Sequence, residues 1–244
     1  MTTPTPPAER RLYQITADRL REHIRKHGIA PGTRLAPERD LAQMLGVSRP
    51  SLREALIALE IEGSVEIRMG SGIYVCEHVL GVKERTRTLG ESPSELMQAR
   101  ALIEGECVML ACLNGTKADY RYLQTCIDKM REGARKGIPA LDDDRRFHER
   151  LAKMSGNSTL ARIVTSLFEE RYSPLSAHIS EHSENRATWA IAVAEHEAIL
   201  QAVEARDLIG AQTAMRQHLR CSEARWLKGV DAEAKVGDTQ AASA

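Results

Sequence analysis

The sequence predicts a mainly α-helical chain in two parts: three helices closed by a β-hairpin, then a longer region that is helical throughout. Three observations predict it. Leu, Ala, Glu and Arg abound, while aromatics make up only 4% of the 244 residues, a composition that favours helix. Apolar residues recur at three- and four-residue intervals along most of the chain. Apolar and charged residues alternate at Val65-Glu66-Ile67-Arg68, and Ile73-Tyr74-Val75 returns after a glycine-rich turn, which is the pattern of a hairpin.

Element by element, residues 1–10 are Thr- and Pro-rich and form a disordered lead-in. Leu12, Ile15, Leu20 and Ile24 mark a helix to about His27, which Gly28 ends. Ala30-Pro31-Gly32 is a turn. Pro37-Glu38 opens a second helix through Leu41 and Leu45 to Gly46. Ser48 caps a third, which runs to about Glu62 and stops at Gly63. With the hairpin, residues 11–76 form a winged helix-turn-helix. Residues 77–92 are polar, carry Gly81, Lys83, Arg85, Arg87 and Gly90, and read as a linker. From Pro93 the pattern gives helices at about 94–113, 117–136, 140–154, 158–180, 185–205 and 207–228. Asn114-Gly115, Gly137-Ile138-Pro139 and Ser155-Gly156-Asn157 separate several of them. Residues 93–230 thus make an all-α bundle, and the small, polar stretch 231–244 is a disordered tail.

Composition narrows the function classes. Hydrophobic residues make up 42% of the chain, and no apolar run approaches the roughly 18 residues of a membrane span. The N-terminus lacks the apolar core of a signal peptide. Five cysteines without a CxxC pair read as free thiols of a cytoplasmic protein. Net charge is zero, which argues against an indiscriminate polycation; residues 1–75 hold 11 Lys and Arg against 9 Asp and Glu, so the placement of the arginines matters more than their sum.

That placement points to double-stranded DNA. A recognition helix presents N-terminal side chains to base edges in the major groove. Arg49 and Arg53 are four residues apart and so share a helix face. Arginine reads guanine through two hydrogen bonds, worth about 1–3 kcal/mol of discrimination. Arg39 on the preceding helix is in reach of a base or phosphate. Ser48, Ser51 and the helix N-terminal amides suit phosphates. The hairpin tip, Met69 and Gly70, approaches the backbone or minor groove. The bland alternative, two arginines on a solvated face, does not account for the ordered sequence of glycine turn, capped helix and wing.

The helical region carries a second pattern. Asp144 and His148 are four apart on one face, with Leu151 on the same side; Asp142 and Asp143 compete with Asp144, and helical phase prefers Asp144. His196 is followed by Ile199, Leu200 and Val203 at i+3, i+4 and i+7. His218 is preceded by Ala211, Ala214 and Met215. Any one of these histidines alone fits a satisfied core residue. Three of them on buried stripes of three helices point to a common purpose, and one Asp with three His suits Zn²⁺, Ni²⁺, Mn²⁺ or Fe²⁺. Arg100 lies on the stripe of Leu96, Ile103, Cys107 and Leu110 and needs a partner there, for example Glu104 at i+4. Arg171 continues the stripe of Ile163, Val164, Leu167 and Phe168.

Arg34-Leu35-Ala36-Pro37-Glu38-Arg39-Asp40-Leu41-Ala42, Val47-Ser48-Arg49-Pro50-Ser51-Leu52-Arg53-Glu54-Ala55-Leu56 and Leu59-Glu60-Ile61-Glu62-Gly63 resemble the GntR family of bacterial transcription regulators. One departure is Ala36, which separates Leu35 from the proline that usually follows it. Phe147-His148-Glu149-Arg150-Leu151-Ala152, Ser155-Gly156-Asn157, Glu195-His196 and Met215-Arg216-Gln217-His218-Leu219 are similar to the sensor (FCD) domain of the FadR-type branch, and Leu96 to Glu104 resembles its first helix.

The resemblance implies operator contacts from Arg39, Arg49 and Arg53, with the wing at Gly70 assisting. It implies a metal held by Asp144, His148, His196 and His218, zinc foremost, and a small carboxylate effector bound by Arg100, with Arg171 second. It also implies a homodimeric, non-enzymatic regulator, commonly a repressor relieved by its ligand. Arg11-Leu12-Tyr13-Gln14 and Gly70-Ser71-Gly72-Ile73-Tyr74-Val75 look closest to hexuronate-utilisation regulators, which suggests a sugar acid. Lactate- and glycolate-type hydroxy acids are the alternative. A metal-dependent hydrolase or isomerase is the competing class, and an attached DNA reader speaks against it; a purely structural metal is the third reading.

Overall fold

The computed structural model describes residues 10–68, 70–77 and 89–228. The chain forms two compact units that divide between Ser92 and Pro93.

The first unit opens with α1 (Leu12–Lys26), α2 (Glu38–Leu45) and α3 (Arg49–Ile61), followed by β1 (Val65–Arg68) and β2 (Gly72–Val75). Ser48 caps α3 by accepting a hydrogen bond from the Ser51 N–H, with Pro50 in the first turn, where its missing donor costs nothing. Gly46 ends α2 at φ 65°, a left-handed conformation that a side chain would strain, and so sets the tight turn into α3. The strands pair antiparallel with Val65 opposite Val75 and Arg68 opposite Gly72. The segment before α2 extends this sheet: the Leu35 N–H donates to the Ile73 carbonyl at 2.8 Å.

Leu20, Ile24, Leu41, Leu52, Leu56, Leu59, Val65, Ile73 and Val75 form the buried core of this unit. Each large side chain contributes about 1.5–3 kcal/mol by leaving water. Of the region read as a linker, residues 78–88 lie outside the described residues, as does Met69. Residues 89–92 dock on the first unit: Leu89 is buried, the Tyr13 hydroxyl donates to the Gly90 carbonyl, and the Ser92 hydroxyl donates to Glu54.

The second unit is all-helical among the described residues: α4 (Pro93–Asn114), α5 (Lys117–Lys136), α6 (Leu141–Met154), α7 (Ser158–Glu169), α8 (Pro174–Ser183), α9 (Arg186–Glu204) and α10 (Leu208–Lys228). Thr116, Asn157, Ser173 and Asn185 cap α5, α7, α8 and α9 through side-chain oxygens. Helix α10 packs on α4 and α9, α5 on α6 and α9, and α6 on α4 and α7, so α6, α9 and α10 turn faces toward one interior.

The sequence pattern predicts one helix over 158–180; the structure has two. Pro174 has no N–H for the ladder and its ring excludes a helical carbonyl four residues back, so the chain turns through a 3₁₀ segment at Glu170–Tyr172 and restarts at Ser173. The break turns Arg171 into the interior. No helix among the described residues is long and apolar enough to cross a membrane.

Candidate metal centre and DNA-facing helix

Asp144 and His148 sit on α6, His196 on α9 and His218 on α10, all four buried. One donor atom from each lies within 4.8 Å of the other three. Of the three acidic residues in the first turn of α6, only Asp144 is buried. Asp142 accepts from the Tyr172 hydroxyl and Asp143 pairs with Arg146.

Each histidine is held by its Nδ1. That of His148 meets Glu104, that of His196 lies 2.7 Å from the Ala192 carbonyl, and that of His218 lies 2.8 Å from Glu195. An Nδ1–H donated to an acceptor fixes the tautomer and leaves Nε2 as the free lone pair. The Nε2 of His196 lies 3.0 Å from Asp144 Oδ1, and that of His148 3.7 Å from the same oxygen. Neither Nε2 makes a hydrogen bond within the protein. Two buried nitrogens without a bond, beside a carboxylate, fit a cation that accepts their lone pairs.

The surroundings favour an ionised Asp144 and a neutral His218. Burial alone pushes the Asp144 carboxyl up, but His148 and His196 outweigh it and hold it well below the ordinary carboxylate range. Burial, reinforced by the neighbouring imidazoles, pushes His218 down to about 3, so it is neutral near pH 7. Glu104 and Glu195 are both held at about 2: burial opposes ionisation, and Arg100 with His148 in one case, His218 with Arg225 in the other, outweigh it.

Arg100 is 1% exposed and donates from Nε to Glu104 at 2.6 Å, the internal pair that the sequence allows as the alternative to a ligand. Its Nη2 makes no hydrogen bond within the protein. Arg171 is buried, reaching Asp144 at 3.5 Å and Glu184 at 2.6 Å, with its guanidinium stacked on Trp226. A cleft opens beside the cluster and is lined by Asp144, Arg171, Trp189, His218, Arg225 and Trp226, among others; Arg100 is not in its lining. Glu104 and Glu195, which orient two of the histidines, and Arg225, which binds Glu195 with two hydrogen bonds, are not singled out by the sequence for these roles. Their positions carry no periodic mark, because each acts across helices.

In the first unit, Arg39, Ser48 and Arg49 are exposed, and Gly70 lies in the hairpin turn at φ 68°. Arg49 and Arg53, expected on one exposed face, are split. Arg53 is 5% exposed and grips Glu38 of α2 with Nε at 3.3 Å and Nη2 at 2.6 Å. Ser51 is also turned inward, its hydroxyl 3.4 Å from that of Thr16. Both differences have the same cause: α3 packs on α1 and α2, and residues 51 and 53 fall on the packed side.

Comparisons with known proteins bear on the whole chain. Residues 12–75 match the model of bacterial regulatory proteins of the gntR family, and residues 95–220 match the FCD domain. The chain is 36% identical over 220 residues to the Exu regulon transcriptional regulator of Escherichia coli K12, covering 86% of this chain and 82% of that one. It is 32% identical over 228 residues to the Uxu operon transcriptional regulator of the same organism, covering 89% and 88%. The solved structure of E. coli McbR/YncC superposes with a TM-score of 0.52 at 22% identity, over 90% of this chain and 99% of that chain, a likeness of fold. With both of its domains matched and these identities across most of its length, the chain belongs to the gntR family of bacterial transcription regulators, in the branch that carries an FCD domain.

Proposed function

We propose that the chain is a homodimeric repressor whose helical unit holds a divalent ion on Asp144, His148, His196 and His218 and binds a small carboxylate beside it. The observation that supports this reading is the set of three histidines, each held at Nδ1, with one donor atom of each within 4.8 Å of the others and of Asp144. Three imidazoles and one carboxylate suit zinc, and Ni²⁺, Mn²⁺ and Fe²⁺ share the preference. A bound ion supplies a positive charge and open coordination positions for an anion. Around it, Arg171 lines the cleft with an Nε that has no hydrogen-bond partner, and Arg100 keeps a free Nη2 behind His148 and Glu104. The Arg171 guanidinium anchors the carboxylate of the effector in the cleft, and Arg100 supports the site through Glu104 and His148. The names of the Exu and Uxu relatives support a sugar acid of the hexuronate class.

On the DNA side, Arg39 and Arg49 reach operator bases or phosphates from exposed positions, Ser48 meets a phosphate, and the wing at Gly70 follows the backbone. Arg53 joins them when its guanidinium turns from Glu38 to a base, and Ser51 supports the helix entry from inside. Two reading heads of a dimer fit a pseudo-palindromic operator. Effector binding shifts the equilibrium between states of different operator affinity.

Thermal shift across a panel of metals and acids tests the sensor half. A hexuronate-class acid raises the melting temperature of the metal-loaded wild type and leaves Arg171→Ala unmoved. A shift of equal size in Arg171→Ala contradicts the assignment.

A further inference from the structure

Besides the buried cluster, one other group among the described residues brings three metal-binding side chains together: His178, Glu181 and His182 on α8, in the order His-Ile-Ser-Glu-His. His178 is half-buried; Glu181 and His182 are exposed. None of the three lies in the cleft beside the buried cluster.

The geometry is that of a helix offering two imidazoles to one ion. Residues four apart stand one turn above each other on the same face. The two rings lie 4.6 Å apart between centroids and are tilted by 38°. His182 Nδ1 lies 2.8 Å from the His178 carbonyl, so in the neutral ring Nδ1 carries the proton and Nε2 is the ligand atom. The same device, an Nδ1–H tied to the carbonyl four residues back, sets His196 in the buried cluster. Glu181 sits three residues from His178 and adds a carboxylate oxygen; one donor atom from each of the three lies within 4.8 Å of the others. A tetrahedral ion with bonds of about 2.0–2.1 Å needs its donors about 3.3 Å apart. Closing that difference calls for rotation of the side chains about their own bonds.

We propose that this face of α8 is a second metal site, accessible from solvent, that takes a borderline transition ion such as Zn²⁺, Ni²⁺ or Cu²⁺ on His178 and His182 with Glu181 as the third ligand. Imidazole nitrogens select these ions over Mg²⁺ and Ca²⁺, which prefer oxygen. Three protein ligands leave at least one coordination position to water or to a further ligand. An ion that ties residue 178 to residue 182 also braces the last turn of α8, immediately before Ser183 and Glu184, two residues of the cleft lining. The proposal stands whether or not the buried cluster holds metal.

Equilibrium dialysis of the full chain against micromolar free Zn²⁺, followed by elemental analysis, tests it. The wild type retains one equivalent more than the His178→Ala/His182→Ala double variant, and Glu181→Gln weakens the exchangeable ion by about tenfold, the lower end of what lost metal-site partners cost. The exposed single variant His182→Ala keeps the test open if the double variant misfolds, which circular dichroism reports beforehand. Loss of the extra equivalent in a folded variant supports the site. Equal zinc content in the wild type and the folded variants overturns it.

Discussion

Glu104 joins two buried groups, and its removal is the sharpest perturbation of the helical unit. Its side chain is 2% exposed and that of Arg100 is 1% exposed; one oxygen accepts from Arg100 Nε at 2.6 Å and the other faces His148 Nδ1. Glu104→Ala strands a guanidinium in the interior, and breaking a buried pair from one side costs about 3–5 kcal/mol. The donor left on His148 adds to that, by about 1–3 kcal/mol if the site cannot relax, though the two losses share one cavity and do not simply sum. A domain stable by about 5–15 kcal/mol is brought near its limit. Glu104→Gln separates the effects: it keeps the volume and one acceptor for His148 but removes the charge that Arg100 needs. Urea denaturation reads the stability, and zinc titration of the folded variants reads the metal. The expected result is a large loss of stability in both, greater for Ala, with metal affinity lowered by about 10–100-fold as the hold on His148 loosens. A loss under about 1 kcal/mol, the scale of an exposed pair, together with unchanged zinc affinity, would show that Glu104 holds neither group.

Other predictions follow from the same geometry. Arg49→Ala weakens specific operator binding while leaving the fold intact, because the residue is exposed on α3; discrimination against substituted base pairs falls by about 1–3 kcal/mol, measured by fluorescence anisotropy on an operator selected from genomic fragments. Glu38→Gln releases Arg53 from its charged partner and alters both stability and base preference, whereas a variant identical to wild type in urea and in anisotropy shows the pair to be idle. Acid weakens the helical unit. His218 is held at about 3 in the fold against 6.5 unfolded, so the unfolded chain takes up more protons and stability falls as pH drops from about 6.5 to about 3. Glu195, held at about 2 against 4.5, adds to the loss as pH falls below about 4.5. Urea midpoints at descending pH decrease; a rising midpoint contradicts the assignment.

Much of the fold is legible in the sequence because its signals are local. Gly46, Ser48 and Pro50 announce the turn and start of α3 through backbone conformation and capping, and the alternation at Val65–Arg68 announces the wing. The break at Pro174 is also local, yet the apolar stripe running on either side of it masks it in a periodicity reading. The burial of Asp144, His148, His196 and His218 is visible as three apolar stripes, since burial follows from helical phase, and their grouping comes from the resemblance to the FCD domain. What periodicity cannot give is contact between helices. Glu104 and Glu195 find His148 and His218 only after packing, and Arg53 meets Glu38 only because α2 crosses α3. Four-residue spacing therefore places Arg49 and Arg53 on one side of a helix without saying how much of that side the neighbouring helices cover.

In the proposed function the buried cluster couples a carboxylate to DNA binding. Anisotropy of a labelled operator, titrated with a hexuronate-class acid in the presence of zinc, tests it most directly in the wild type and in His196→Ala. The acid is expected to lower the operator affinity of the wild type and to leave that of the folded variant unchanged. An equal response in both contradicts it.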